Sequence, residues 1–138
     1  MPNIVRQKVR LEGDRAVIVH LWGAVEKQTL CQVVTPEPIE QCLEKSDMQR
    51  VWRDTNWGSK GDINQVKNVQ CDNELKNLSV LEFDCATAWG AIMPIWEKLV
   101  DLGLHVRVEV TGELFDGKEF IWIDGKKVWE REQPVGWE

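Results

Sequence analysis

Hydrophobic and polar side chains alternate along three stretches of the chain, which predicts three strands with one buried face each. Residues 4–11 place Val5, Val9 and Leu11 on one side and basic side chains on the other. Residues 78–85 and 104–111 alternate in the same way. These strands are expected to share one sheet, with the apolar side packed on a core.

Two other stretches repeat their apolar residues at helical spacing. Residues 15–28 follow Asp14, a good N-cap residue, although Gly23 and a β-branched run leave a strand as an alternative. Residues 91–102 form a second helix with Pro94 in its first turn and Gly103 at its end. The two apolar stripes are Val17, Ile18, Leu21, Trp22 and Val25, and Ile92, Ile95, Trp96 and Leu99.

The remaining elements are shorter. Short helices are predicted from Pro38 to Lys45 and over 47–54, and residues 62–70 read as a weak polar strand. Residues 120–123 and 126–130 flank Asp124-Gly125, a strong hairpin turn signal.

The order of these elements predicts an α+β fold of the ferredoxin-like, split βαβ type. Helices would cover one face of an antiparallel sheet, and a C-terminal β-hairpin would follow. Residues 1–132 would form a single domain with a helical insert near 36–54, and residues 133–138 a loose tail.

Eight tryptophans and no tyrosine are the most unusual feature of the composition. Half of them lie on helical or turn stripes and are predicted to be core residues: Trp22, Trp52, Trp89 and Trp96. The others are candidates for exposure: Trp57, Trp122, Trp129 and Trp137. Exposed tryptophans are enriched at binding hot spots.

The net charge of −6 is unevenly placed, because the whole acidic excess lies after residue 57. An acidic surface disfavours non-specific nucleic-acid binding, which requires Lys and Arg against phosphates. It suits a partner with a basic surface, and equally it serves ordinary solubility. The chain shows no membrane-spanning stretch and no signal peptide, so a cytoplasmic protein with no membrane partner is expected.

No motif in the sequence points to a reaction. Cys31, Cys42, Cys71 and Cys85 are widely spaced and are expected to be free thiols without a metal. His20 and His105 have no catalytic partner nearby in sequence, and the acidic pair Glu82 and Asp84 is interpreted as strand surface. No cofactor is expected.

Four sequence blocks, in this order, resemble a known family. They are Met1-Pro2-Asn3, Val34-Thr35-Pro36-Glu37-Pro38, Asn56-Trp57-Gly58-Ser59-Lys60 and the block from Phe83 through Thr87-Ala88-Trp89 and Pro94 to Leu99. The chain resembles a family of small proteins that are carried by phages and plasmids and have a ferredoxin-like domain. That label names a fold and implies no iron–sulfur cluster. The resemblance implies a mobile-element origin and supplies no catalytic residues.

The function expected from these features is non-catalytic binding to a host protein in the host cytosol. The binding would inhibit host defence, as an anti-CRISPR or other anti-defence protein, or a gene-expression machine. The candidate docking surface is the hairpin, where aromatic and acidic residues combine: Trp122, Trp129, Asp116, Glu119, Asp124 and Glu130.

Two alternatives come from other classes of function. One is a nucleic-acid-binding module that uses the basic strand face of Arg6, Lys8 and Arg10. The other is a small enzyme whose site is assembled from distant residues. The sequence does not identify the target or the oligomeric state.

Overall fold

The computed structural model describes residues 4–38, 46–72, 78–88, 90–112, 118–123 and 126–132, the last two ranges and 46–47 by their backbone alone. Ten elements follow one another along the chain. They are β1 Ile4–Asp14, α1 Arg15–Glu26, α2 Leu30–Val34, α3 Ser46–Asn56, β2 Asn64–Asp72, β3 Leu78–Ala88, α4 Met93–Asp101, β4 His105–Thr111, β5 Lys118–Ile123 and β6 Lys126–Glu132.

The strands form one six-stranded sheet in the order β2-β3-β1-β4-β5-β6, and every neighbouring pair is antiparallel. Strands β1 to β4 with α1 and α4 follow the β-α-β-β-α-β order of the split βαβ arrangement. Helix α3 lies in the predicted insert region, whereas α2 precedes that region, and β5 and β6 form the predicted C-terminal hairpin. The α+β fold class predicted from the sequence is confirmed.

One face of the sheet is buried beneath the helices. Val5, Val9 and Leu11 of β1 are at most 2% exposed, and the alternate residues of β4 are equally buried. Ile18, Leu21 and Val25 of α1 and Ile95, Trp96 and Leu99 of α4 join the same core. Each fully buried aliphatic side chain of this kind contributes about 1.5–3 kcal/mol to folding.

Helix α1 begins as predicted, because the Asp14 carboxylate accepts a hydrogen bond from the Ala16 amide at 2.8 Å. The β-branched run therefore forms a helix and not a strand. The prediction that Trp22 is a core residue is wrong, since it is 36% exposed. Its indole donates to Glu26 one turn later at 3.1 Å, so it lies along the side of the stripe rather than on it.

Trp57, which was a candidate for exposure, is buried at 2%. Its indole nitrogen donates to the Thr35 carbonyl at 2.8 Å, and its ring meets Trp52 edge to face at 5.7 Å. Arg53 stacks over it at 5.1 Å and donates to Glu37 at 2.8 Å. The turn after α3 thus folds beneath the Thr-Pro-Glu-Pro segment, which the local turn pattern did not reveal.

The same turn packs closely against the loop between β3 and α4. A Cβ added to Gly90 would lie 2.3 Å from the Gly58 carbonyl oxygen, so only glycine fits there. Ser59 and Lys60 donate to the Ala88 carbonyl through the side chain and the amide, at 3.0 and 3.2 Å. Parts of two blocks that carry the family resemblance, Gly58-Ser59-Lys60 and Ala88 with Gly90, are therefore held together as a structural corner.

A buried hydrogen-bond network fixes the start of α4 to the central strand. Gln7, at 1% exposure, accepts from the Trp96 indole at 2.8 Å and donates to Thr87 at 2.9 Å. Thr87 donates in turn to the Gly90 carbonyl at 2.6 Å. Gln7 therefore replaces an apolar residue on the inner face of β1 because its amide satisfies polar groups that would otherwise be buried alone.

Helix α2 was not predicted from the sequence. It begins under Asp62, whose two carboxylate oxygens accept from the Cys31 and Gln32 amides at 2.8 and 2.9 Å. This cap comes from a residue thirty positions away, so no local signal marks it. Strands β1 and β3 also extend three residues beyond the predicted ends at 11 and 85.

Some predictions fall outside the described residues: most of the Pro38–Lys45 helix, the tail 133–138, Trp89 and Trp137. Within the described ranges, no helix combines the length and apolar character needed to cross a membrane.

Candidate functional site on the open face of the sheet

The sheet face opposite the helices carries the exposed side chains of β1, β3 and β4. We call it the open face; its members on β1 are Arg6, Lys8, Arg10 and Glu12. On β4 the corresponding positions are His105, Arg107, Glu109 and Thr111, and on β3 they include Glu82 and Asp84. Helices α1 and α4 pack on the other side, where the apolar residues of the strands lie.

Charges on the open face follow the strand register in rows. Lys67 of β2 is opposite Asp84 of β3, which is opposite Lys8 of β1, and Lys8 is opposite Glu109 of β4. This row alternates in sign across four strands. Opposite charges at directly paired positions stabilise a sheet by about 0.2–1 kcal/mol each.

The next row contains Glu82, Arg10 and Arg107 at paired positions. Glu82 and Asp84, the acidic pair noted in the sequence, are therefore opposite Arg10 and Lys8. This arrangement agrees with the interpretation of the pair as part of the strand surface. Their position beside the basic strand also means that the open face is a mixed surface, not a uniformly positive one.

Register does not by itself produce close ion pairs here. In the described part of the chain, the close ion pairs include Arg10 with Glu12 at 3.7 Å and Arg53 with Glu37 at 2.8 Å. Lys8, Lys67 and Glu109 make none in those ranges. Lys8 and Lys67 are exposed, so their ammonium groups are available at the surface, whereas Glu109 is half-buried.

A groove of about 450 Å³ lies on the open face near the Arg6 end of β1. We call it the Arg6 groove. Its lining is Arg6, Gln7, Lys8, Gln65, Lys67, Asp84, Cys85, Glu109 and Thr111. The volume is in the range of small-ligand sites.

Arg6 occupies a row that has no acid among its described paired residues. Its neighbours in register are Ala86 on β3 and Thr111 on β4, and Ala86 is paired beyond to Asn64. Since Ala86 is short, the guanidinium reaches across it, and Nη1 donates to Gln65 Oε1 on β2 at 3.3 Å.

The edge strand β2 reaches the groove through two bulges. Gln65 and Asn68 have φ of 51° and 56°, and the β2–β3 register shifts on either side of Lys67. Asn68 Nδ2 donates to Asp84 Oδ2 at 2.7 Å. Left-handed backbone at residues other than glycine is costly and clusters at functional sites.

Sequence analysis missed Gln65, Lys67 and Asn68 as site residues, although a signal was present. The residues that pack toward the core here are Ile63, just before the strand, and Val66, Val69 and Cys71 within it. Their spacing is three, three and two, whereas a regular strand repeats every two residues. Each extra residue marks one bulge.

The predicted basic residues Arg6, Lys8 and Arg10 are brought together on the open face and are all exposed. Of the predicted docking residues, Glu119 and Trp122 are in β5 and Trp129 and Glu130 are in β6. Asp116 and Asp124 lie outside the described residues.

Register separates these hairpin residues into two kinds of row. Glu119 is opposite Glu109, and Trp129 is opposite Ile121, which is opposite Arg107; these rows belong to the open face. Trp122 is opposite Val106, while Glu130 is opposite Phe120, which is opposite Val108. Val106 and Val108 are buried, so the second kind of row belongs to the helix-covered face.

The described thiols are poorly suited to nucleophilic chemistry. Cys31 and Cys85 are buried and Cys71 is half-buried, and none of the three forms a disulfide. Burial, together with the nearby Asp84 and Asp62 carboxylates, raises the pKa of Cys85 to about 12. Burial also raises the pKa of Cys31, and Asp62 adds to the effect. Thiolates, which are the reactive form, are therefore suppressed at neutral pH.

Among the described residues, no group of three or more His, Cys, Asp or Glu side chains is arranged to hold a metal ion. His20 and His105 are both exposed and lie on separate elements, α1 and β4.

Comparison with known proteins adds little to this geometry. No protein-family model and no curated protein matches the chain. Among solved structures, the chain is similar to a protein api92 from Yersinia pseudotuberculosis, assigned to the family DUF1281. The identity is 14% and the TM-score 0.46, over 64% of this chain and 31% of that one. The chain therefore spans less than a third of that protein's length.

Proposed function

We propose that this protein is a non-catalytic binding module that docks on a host protein through the open face of its sheet. The observation that carries the proposal is the set of charge rows on that face. Lys67, Asp84, Lys8 and Glu109 alternate in sign across four strands and make no close ion pairs among the described residues.

Alternating charge is suited to recognition of another protein. Complementary charges at an interface steer the encounter, fix the register and exclude wrong partners. A phosphate backbone would instead favour a continuous row of cations. Because acids are interleaved with Arg6, Lys8 and Arg10, the open face supports a protein partner better than a nucleic acid.

The hairpin extends this surface. Glu119 continues the row of Lys8 and Glu109, and Trp129 continues the row of Arg10 and Arg107. A tryptophan at the end of a charged row is a combination that favours a hot spot with a polar surround. The docking surface proposed here thus includes part of the hairpin predicted from the sequence.

The kind of partner is proposed from the resemblance to small proteins carried by phages and plasmids. We place the protein in the host cytosol, bound to a component of a defence system or of gene expression, which it inhibits. That partner should present alternating charges or a basic surface, given the net charge of −6.

The test is capture from host lysate with matched charge-reversal variants. Lys8→Glu with Lys67→Glu reverses two open-face cations, while Lys27→Glu with Arg50→Glu changes the net charge equally on the exposed helical side. The first pair should lose the captured protein and the second should retain it. Equal loss in both would contradict docking through the open face, and loss of capture after nuclease treatment would point to a nucleic acid instead.

A further inference from the structure

Three features of the Arg6 groove together point to a ligand that the charge rows do not explain. The groove is lined by three cations, Arg6, Lys8 and Lys67, against two acids, Asp84 and Glu109. Within the part of the chain that the structure describes, one of these acids is engaged, since Asp84 accepts from Asn68 at 2.7 Å. Three cations against two acids give this described lining a net charge of +1, and Arg6 is the cation that has no acid at its paired positions.

Arg6 is the cation with the most unused hydrogen-bonding capacity. Its guanidinium makes one long contact within the described residues, from Nη1 to Gln65 Oε1 at 3.3 Å. The paired positions on either side, Ala86 and Thr111, bring no charge. A guanidinium presents a planar fork of donors that matches two oxygens of one acid group.

The Gln65 carboxamide oxygen occupies one position that a carboxylate oxygen would take on this fork. Gln65 is held there by left-handed backbone, with φ of 51°, in the first of the two bulges of β2. Thr111, paired with Arg6 across the sheet, brings a hydroxyl donor to the same lining.

We propose that the Arg6 groove is a binding site for a carboxylate, anchored by the Arg6 guanidinium with Thr111 and Gln65 at its sides. A singly charged carboxylate is favoured over a phosphate dianion, because Asp84 and Glu109 share the groove and repel a dianion more strongly than a monoanion. The carboxylate comes either from a small free acid or from a Glu or Asp side chain of a peptide.

This inference stands apart from the proposed function, because it rests on one residue and one groove. Arg6→Gln leaves the Lys67, Asp84, Lys8 and Glu109 row intact. Capture of a host protein that survives Arg6→Gln would therefore retain the docking proposal whatever happens to carboxylate binding. Carboxylate binding without any captured partner would retain the carboxylate proposal and contradict the docking proposal.

The experiment is a titration of the whole chain followed by ¹H–¹⁵N NMR, with isosteric pairs of probes. Butyrate and butyramide have nearly the same shape, but the amide has no charge and carries an NH₂ donor in place of one acceptor oxygen; the peptides Ac-Gly-Glu-Gly-NH₂ and Ac-Gly-Gln-Gly-NH₂ differ in the same way. Saturable shifts centred on the Arg6, Gln65 and Thr111 amides are expected for the acids and not for the amides. A stronger response to butyrate indicates a small-molecule source, and a stronger response to the Glu peptide indicates a peptide side chain.

Variants make the assignment specific. Arg6→Gln should weaken carboxylate binding about tenfold, and Arg6→Lys should restore only part of it, because lysine has no fork. Arg10→Gln is the matched control, since Arg10 is on the same strand face with a contact to Glu12 at 3.7 Å. Equal weakening by Arg10→Gln, stronger binding of inorganic phosphate, or the absence of saturable shifts would each overturn the proposal.

Discussion

At the scale of single residues, burial determines how the thiols respond to pH. The folded pKa of Cys85 is raised to about 12 from an ordinary value of 9.0. Between these values the unfolded chain loses the thiol proton while the folded chain keeps it, so the folded state becomes less stable as pH rises. Each such thiol lowers the free energy of unfolding by about 1.4 kcal/mol per pH unit in that window.

Cys85→Ala should therefore flatten the fall in stability between pH 9 and 10.5, although it lowers stability at pH 7 by leaving a small cavity. Urea denaturation at several pH values measures both effects. An identical alkaline slope in the variant and the parent would show that Cys85 does not titrate this way.

The buried network around Gln7 gives a second residue-level prediction. Trp96 is fully buried and donates to Gln7, so Trp96→Ala removes an aromatic and leaves a buried amide oxygen poorly satisfied. The free energy of unfolding should fall by about 3–5 kcal/mol. Trp22→Ala, at a residue that is 36% exposed, should cost less than half as much in the same denaturation assay. Comparable losses at the two sites would contradict this account of the core.

At the scale of elements, strand β2 contains positions with two different backbone conformations, one inside a bulge and one in regular pairing. Gln65 has a φ of 51°, while Gln70 is an exposed residue of the same strand at a regularly paired position. Valine is strongly disfavoured at positive φ and favoured in ordinary strands.

Gln65→Val should consequently destabilise the protein by about 1–3 kcal/mol, and Gln70→Val should be neutral or slightly stabilising. The same chemical change at two positions of one strand then compares the two backbone conformations, with the loss of the long Arg6 contact to Gln65 at 3.3 Å as a smaller additional effect. Measured unfolding free energies that do not differ between the two variants would mean that β2 has no strained bulge at Gln65.

The elements also show what the sequence could and could not predict. The strands with strict alternation, β1, β3 and β4, and the stripe of α4 were predicted because each pattern is local and one face is buried. The position of Trp57 and helix α2 were not, since each depends on a contact between distant segments: Trp57 with Thr35, and Asp62 with Cys31.

The candidate site was predictable in part for the same reason. The basic side chains of β1 were evident from alternation, but Lys67 and Asn68 join them only through the pairing of β2 with β3 and the two bulges. The three-residue spacing of the inward side chains was the available signal, but only a weak polar strand over 62–70 was predicted from the sequence.

At the scale of the whole molecule, the sheet joins the hairpin to the charged central strands. Glu119 is opposite Glu109 on one side and Arg131 on the other, whereas Glu130 is opposite Phe120 in a row that continues to the buried Val108. The two glutamates therefore belong to rows of different faces, although both were part of the predicted docking surface.

This separation provides a test with an internal control. If docking uses the open face, Glu119→Lys should weaken association with the captured host protein and change its salt dependence, because charges at an interface steer the encounter and are screened by ions. Its melting temperature should change little, since the new lysine would be opposite a charge of opposite sign at Glu109 and one of the same sign at Arg131. Glu130→Lys should leave binding intact.

These outcomes are distinguished by surface plasmon resonance at several salt concentrations, together with thermal unfolding of each variant. Loss of binding with Glu130→Lys alone would move the interface to the helix-covered side of the hairpin.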